Sequence, residues 1–223
     1  MAHPPQAAHY PWSEREELLP FVPEGCMRVL EVGCGSGGFS HTLRKVLGRS
    51  CRIIGVEAMP GAMEVARERG MFDELLQGYF PEVLQGSERR FDLVVFNDVL
   101  EHMVDPWAVL SQTREYLNGR GRVLASIPNV QFAPVVWGLL RGEWRYTDLG
   151  VLDATHLRFF TRRSMTRMFE EAGYQVELIQ GVNGAHHARR GEKRPLLRLV
   201  KRVAPMILDD SLFQQFAVVA RPN

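Results

Sequence analysis

The apolar positions of this chain follow two alternating rhythms. Short runs that are apolar on both faces lie at Arg28-Val32, Arg52-Val56, Leu75-Gln77, Asp92-Phe96 and Arg122-Ser126, separated by helix-length amphipathic stretches through residue 127. Strands alternating with helices predict a mostly parallel, doubly wound sheet covered by helices on both faces, an α/β fold. The residues between the runs agree with this. Pro60 opens a helix that Gly70 closes, Asp105-Pro106 supplies an N-cap and first turn, and Asn118-Gly119 reads as a helix stop.

From Pro128 to Phe160 the rhythm is lost and aromatics take over, with Phe132, Trp137, Trp144, Tyr146, Phe159 and Phe160, which predicts loop or lid material over about residues 130–160. A last helix capped by Thr161 runs to about Ala172 and stops at Gly173. Strands Tyr174-Ile179 and Gln215-Ala220 follow. Between them, Arg189, Arg190, Lys193, Arg194, Arg198, Lys201 and Arg202 stand against Glu192, and Leu196, Leu197, Leu199, Val200 and Val203 fit one face of a basic helix at about residues 189–205. Two readings of it stay open: a crossover helix packed on the sheet, or an amphipathic helix resting on anionic lipid.

Composition narrows the class. At 223 residues, with 45% hydrophobic and 24% charged side chains, the chain reads as one domain spanning residues 1–223. The net charge of +1 gives no general attraction to nucleic acid. Cys26, Cys34 and Cys51 are an odd set without metal-finger spacing and read as reduced thiols. No secretory leader and no membrane-length apolar stretch is seen, so a cytoplasmic location is expected.

The chemistry begins where the first strand ends. Glu31-Val32-Gly33-Cys34-Gly35-Ser36-Gly37-Gly38 leads into a helix from Phe39 to Leu47, and such glycines let a backbone turn tightly against a ligand. The pattern alone also satisfies the dinucleotide fingerprint. Glu57, closing the second strand, is placed to accept hydrogen bonds from two ribose hydroxyls. Two features favour S-adenosylmethionine over a nicotinamide. No tyrosine has a lysine four residues on, and acidic Glu31 suits a sulfonium better than a pyrophosphate.

The segments VLEVGCGSGGFS, IIGVEAMPGAMEVA, FDLVVFNDVLEHMVDP and GRVLASIPN, in this order, resemble the class I S-adenosylmethionine-dependent methyltransferases over about residues 15–180. The resemblance implies a seven-stranded Rossmann-like sheet with its last strand antiparallel. It implies that Glu31, Gly33, Gly35 and Gly37 wall the methionine half of the cofactor, that Glu57 holds its ribose and that Asn97 faces the methionine. Where the family commonly offers an acid or amide to adenine, this chain has Gly78-Tyr79-Phe80, which leaves that contact to backbone or to Gln77.

After the fourth strand come Asp98, Glu101 and His102, which would share one face of a helical turn. His156 follows the lid. Ile127-Pro128-Asn129, then His156, then Phe160-Thr161 before a helix ending Glu171-Ala172-Gly173-Tyr174, resembles two branches of the family: an uncharacterised glycan-associated group, and the ubiquinone-biosynthesis and small-RNA O-methyltransferases, to the second of which Asp98, Glu101, His102 and His156 also correspond. In the RNA enzymes the corresponding residues bind a divalent ion. Three readings stay open: packing and capping, general-base catalysis by His102 or His156, and a Mg²⁺ or Mn²⁺ site built from Asp98, Glu101, His102 and His156. The leading expectation is O-methylation of a sugar, glycan precursor or other small polyhydroxylated acceptor. The alternatives are a membrane-associated quinol-type O-methyltransferase and a non-catalytic S-adenosylmethionine-binding or partner-binding module.

Overall fold

The computed structural model describes residues 12–184 and 209–223. Strands β1 (Arg28–Val32), β2 (Arg52–Glu57), β3 (Glu74–Gln77), β4 (Phe91–Asn97), β5 (Leu117–Pro128), β6 (Tyr174–Gly184) and β7 (Phe213–Pro222) form one seven-stranded sheet in the order β3-β2-β1-β4-β5-β7-β6. β1 pairs in parallel with β2 and β4, β2 pairs in parallel with β3, and β6 and β7 are antiparallel. This is the doubly wound sheet that the alternation of runs and amphipathic stretches predicts.

The described chain divides into two compact units. The first runs up to Asn97 and includes Ser111–Leu124; the second comprises Asp98–Leu110 and everything from Ala125 onward. In the first, the middle of β1 and β4 is covered on both faces: Val29, Leu30, Leu93, Val94, Val95 and Phe96 have no exposed surface. Helices α1 (Gly38–Leu47) and α2 (Pro60–Arg69) bury the apolar side chains of Phe39, Leu43, Ala62, Met63 and Ala66. The second unit is built on α5 (Arg162–Glu171), whose Met165, Met168 and Phe169 are buried, and on the β6–β7 ladder. Buried Tyr174 donates to the Leu110 carbonyl at 2.9 Å, which satisfies its hydroxyl.

Three expectations need correction. Helix α3 (Pro106–Thr113) gives way to a 3₁₀ turn, Arg114–Tyr116, so Asn118-Gly119 lies inside β5 and stops no helix. Asn118 is held there because its amide donates to Asp92 and its own oxygen accepts from Arg120 N. The region after Pro128 contains a helix, α4 (Ala133–Leu140), that aromatic irregularity concealed. The third concerns Asp98 and is treated with the site. The expected basic helix at about residues 189–205 lies outside the described residues.

Candidate functional site

In the first unit, parallel pairing of β1 with β2 and β4 sets the carboxyl ends of these strands side by side, where ligands of open α/β sheets bind. The turn after β1 is shaped by its glycines: Gly33, Gly35 and Gly37 have φ of 64°, 53° and 83°, conformations that side chains other than glycine rarely adopt. Cys34 N–H donates to Val56 O at 3.1 Å and ties the turn to β2. Glu57, 6% exposed, accepts from Gly35 N at 2.8 Å through Oε2 and from Met59 N at 2.8 Å through Oε1. A carboxylate has about four acceptor positions, so roughly two remain for a ligand.

Glu31 is 2% exposed and accepts from the hydroxyl of Ser40, in the first turn of α1. Burial pushes its pKa up to about 8, against the lowering effect of the Ser40 hydrogen bond and with added repulsion from Glu57. It is therefore mostly protonated at neutral pH. Asn97 closes β4, and both Nδ2 and Oδ1 of its amide are buried with no hydrogen-bond partner among the described residues. Native proteins rarely leave such groups unsatisfied, which makes this amide a marker for a ligand. The structure thus places Glu31, Gly33, Gly35, Gly37, Glu57 and Asn97 at neighbouring strand ends. Gly78 N–H is already donated to Glu57 O at 3.0 Å, while Gln77 has an exposed side chain.

In the second unit the chain following β4 departs from the expected helical turn. Asp98 has φ of 54°, a left-handed conformation that aspartate tolerates better than most residues, and the turn that follows, Leu100–His102, is 3₁₀. Asp98 is diverted: its Oδ1 accepts from Gln215 Nε2 at 2.7 Å and from Ser126 Oγ at 3.3 Å. Of the four residues expected to gather, Glu101, His102 and His156 do so, with ligand-capable atoms all within 4.8 Å of one another, and Asp98 does not join that group.

The two imidazoles are fixed by backbone carbonyls. His156, 8% exposed, has Nδ1 at 3.1 Å from Val151 O, and His102 has Nδ1 at 3.3 Å from Thr155 O. A carbonyl only accepts, and the Thr155 hydroxyl beside His102 Nδ1 donates to Asp153, so each Nδ1 carries a proton; the neutral form of His156 then keeps its lone pair on Nε2. The rings meet edge to face with centroids 4.7 Å apart. Burial lowers the pKa of His156, with the neighbouring His102 contributing in the same direction and the bond to Val151 opposing, so its ring is held neutral. His156 Nε2 lies 4.0 Å from Oε1 of Glu101, which is 1% exposed. The Glu101 carbonyl accepts from both Leu157 and Arg158 N–H, at 2.8 and 3.0 Å, clamping the 3₁₀ turn to the segment that carries His156.

Ser40, Val151, Thr155 and Gln215 are supporting residues that sequence reasoning missed. They are ordinary in type, and Thr155 and Gln215 stand 53 and 117 residues from His102 and Asp98, so no local signal marks them; Val151 and Ser40 lie nearer to His156 and Glu31 but act through a backbone carbonyl and a common hydroxyl. Helix α4 has no buried residue, although its sequence is Ala-Pro-Val-Val-Trp-Gly-Leu-Leu; Trp137 is 61% and Leu140 74% exposed. Tyr146 and Leu149 are exposed as well, while Trp144 sits edge-on to Phe159 at 5.2 Å.

Comparison with known proteins gives a consistent result. The family described as methyltransferase domain matches residues 6–179. A ubiquinone biosynthesis O-methyltransferase from Cereibacter sphaeroides is 30% identical over 165 residues, covering 72% of this chain and 64% of that protein. One of the same name from Aeromonas salmonicida is 26% identical, covering 72% of this chain and 67% of its own length. The chain therefore spans just under two thirds of the first of these relatives. Among solved structures, an S-adenosylmethionine-dependent methyltransferase from Archaeoglobus fulgidus superposes with a TM-score of 0.65 at 21% identity, covering 92% of this chain and 90% of that one. The CcbJ methyltransferase from Streptomyces caelestis does so with a TM-score of 0.62 at 16% identity, covering 98% and 92%. At these identities the structural matches speak to the fold.

Proposed function

The chain belongs to the methyltransferase domain family, in its class I S-adenosylmethionine-dependent branch, and on that premise we propose that it transfers a methyl group from S-adenosylmethionine to a hydroxyl oxygen. The observation that carries this reading is the Glu57 carboxylate, pinned by Gly35 and Met59 N–H beside the glycine turn. Its remaining acceptor positions suit the paired hydroxyls of a ribose. Glu31 and the turn border the cationic amino-acid half of the cofactor, and the amide of Asn97 gains there the partners it lacks within the protein. Bound S-adenosylmethionine supplies an activated methyl group on a positively charged sulfur.

What remains for the protein is to align the acceptor and take its proton. Alignment is worth on the order of 7 to 11 kcal/mol of barrier in well-oriented reactions. His156 is the base this reading selects, because burial keeps it neutral and Val151 directs its lone pair to Nε2. His102 is its partner and likewise carries a proton on Nδ1. A second reading is favoured by the convergence of Glu101, His102 and His156: one carboxylate and two neutral imidazoles could hold Mg²⁺ or Mn²⁺, which would lower the pKa of a bound hydroxyl. Two bonds of about 2.1 Å span roughly 4.2 Å, so the 4.8 Å cluster would have to tighten slightly. EDTA separates the two readings, since it abolishes turnover in the second and leaves it unchanged in the first.

The acceptor divides into two classes. A sugar or glycan precursor fits the polar residues Arg141, Arg145 and Asp148 of the lid region. A quinol-type aromatic hydroxyl fits two other observations: the bare apolar surface of α4, and relatives named for ubiquinone biosynthesis. These favour the quinol class, with α4 meeting the acceptor or the membrane that dissolves it. Labelled methyl transfer into catechols, sugars and nucleotide sugars tests the proposal. Label in a catechol supports the quinol class and label in a sugar the glycan class. No label in any acceptor, from protein that binds S-adenosylmethionine, would favour a non-catalytic binding module instead.

A further inference from the structure

The amino ends of β2, β1 and β4 carry a feature that methyl transfer does not use. Arg28 opens β1, Arg52 opens β2, and Arg89 and Arg90 precede Phe91 at the start of β4. Arg28 and Arg52 are register partners on adjacent strands. Together with Ile54 and Phe91 these four arginines line a cavity of about 310 Å³. Neighbouring strands lie only about 4.8 Å apart, and like charges set opposite one another destabilise a sheet. A sequence that places four guanidinium groups here needs an anion to offset them.

The protein supplies one only in part. Among the described residues, Glu74 is the carboxylate that pairs with this group, at 3.0 Å from Arg52 and 2.9 Å from Arg89. Burial raises the Glu74 pKa, but the hydrogen bonds from Arg89 and Arg52 outweigh it and hold the group below the usual range, ionised at neutral pH. The nearby Asp92 is spent elsewhere, accepting from Met27 and Arg28 N–H at 2.7 and 2.8 Å and from the Asn118 amide. Nη1 of Arg89 is buried and finds no hydrogen-bond acceptor among the described residues. Glu74 is thus the one carboxylate bonded directly to these four guanidinium groups, with Asp73 attracting Arg52 from farther off, and the cavity is also lined by Ile54 and Phe91, which are 4% and 2% exposed.

We infer that this cavity is a second ligand site, for a small multiply charged phosphate such as a diphosphate ester. Guanidinium forks match phosphate oxygens two at a time and stay charged at any physiological pH. The volume suits a small ligand. The site lies at the opposite end of β1 from the glycine turn, roughly 13 Å away by strand rise, so its ligand does not compete with the cofactor.

The test is calorimetric titration of the full chain with pyrophosphate, comparing the native protein with Arg52→Gln/Arg90→Gln, and with S-adenosylmethionine binding as the control for folding. The native protein is expected to bind, more weakly as salt is raised. The variant should bind about tenfold or more weakly, the scale of one or two lost charge-assisted hydrogen bonds, while its cofactor affinity is unchanged. A parallel arm uses vesicles of phosphatidylcholine with and without phosphatidic acid. Capture by phosphatidic acid that the same substitutions weaken assigns the phosphate to a lipid headgroup, and pyrophosphate binding without vesicle capture assigns it to a soluble ester. The proposal fails if the native protein takes up neither probe, or if the variant that still binds S-adenosylmethionine takes up both as well as the native protein does.

Discussion

Glu31 and Asn97 are the two residues at which folding and function pull apart. Glu31 keeps a proton in the folded protein up to a pKa of about 8, whereas an unfolded glutamate loses it near 4.5. Between those values the folded state binds the extra proton, so stability must fall as pH rises through that window. Glu31→Gln should flatten the slope, as measured by chemical denaturation across pH. Asn97 bears the complementary signature. Its buried amide lacks partners, so Asn97→Leu should leave stability unchanged or raise it by about 1 kcal/mol while weakening S-adenosylmethionine binding about tenfold. A substitution that loses stability but keeps cofactor affinity would mark Asn97 as a packing residue. For His156, alanine should lower kcat by about 10²- to 10⁴-fold with cofactor affinity retained. Because burial holds its pKa below the ordinary histidine value, activity should persist on the acid side until below that value.

At the scale of elements, the strands and their glycine turn were legible because a buried parallel strand has a strong local signature: a short run apolar on both faces, followed at once by glycines. Helix α5 was legible from its cap. Thr161 and Ser164 form a reciprocal capping box, and Thr161→Ala should cost about 1 kcal/mol of stability by denaturant titration. Helix α4 escaped because sequence reading recognises a helix by its apolar stripe, and α4 is apolar all round with nothing buried. The same property yields a prediction. Trp137→Ser with Leu140→Ser should leave the melting temperature unchanged, since neither side chain is buried, yet reduce vesicle binding or turnover of an apolar acceptor. The turn after Asn97 was misjudged for a different reason. Asp98 takes a left-handed conformation held by Ser126 and by Gln215, which is distant in the chain, so nothing near residue 98 announces it.

At the scale of the whole molecule, the alternation of strands and helices specified the sheet, and four short segments specified the family. The acceptor was not specified, because the residues that bind a shared cofactor are independent of those that admit a particular hydroxyl. Residues 12–184 and 209–223 contain no helix long and apolar enough to cross a membrane. The central claim is that the turn after β1 and Glu57 together hold S-adenosylmethionine. A ligand that binds only the folded state at about 100 times its dissociation constant adds roughly 2.7 kcal/mol, or about 5 to 11 °C in melting temperature for a chain of this size. Thermal unfolding with saturating S-adenosylmethionine should show that rise in the native protein and lose it in Glu57→Ala. No rise in the native protein, or an equal rise with a nicotinamide dinucleotide, would contradict the account.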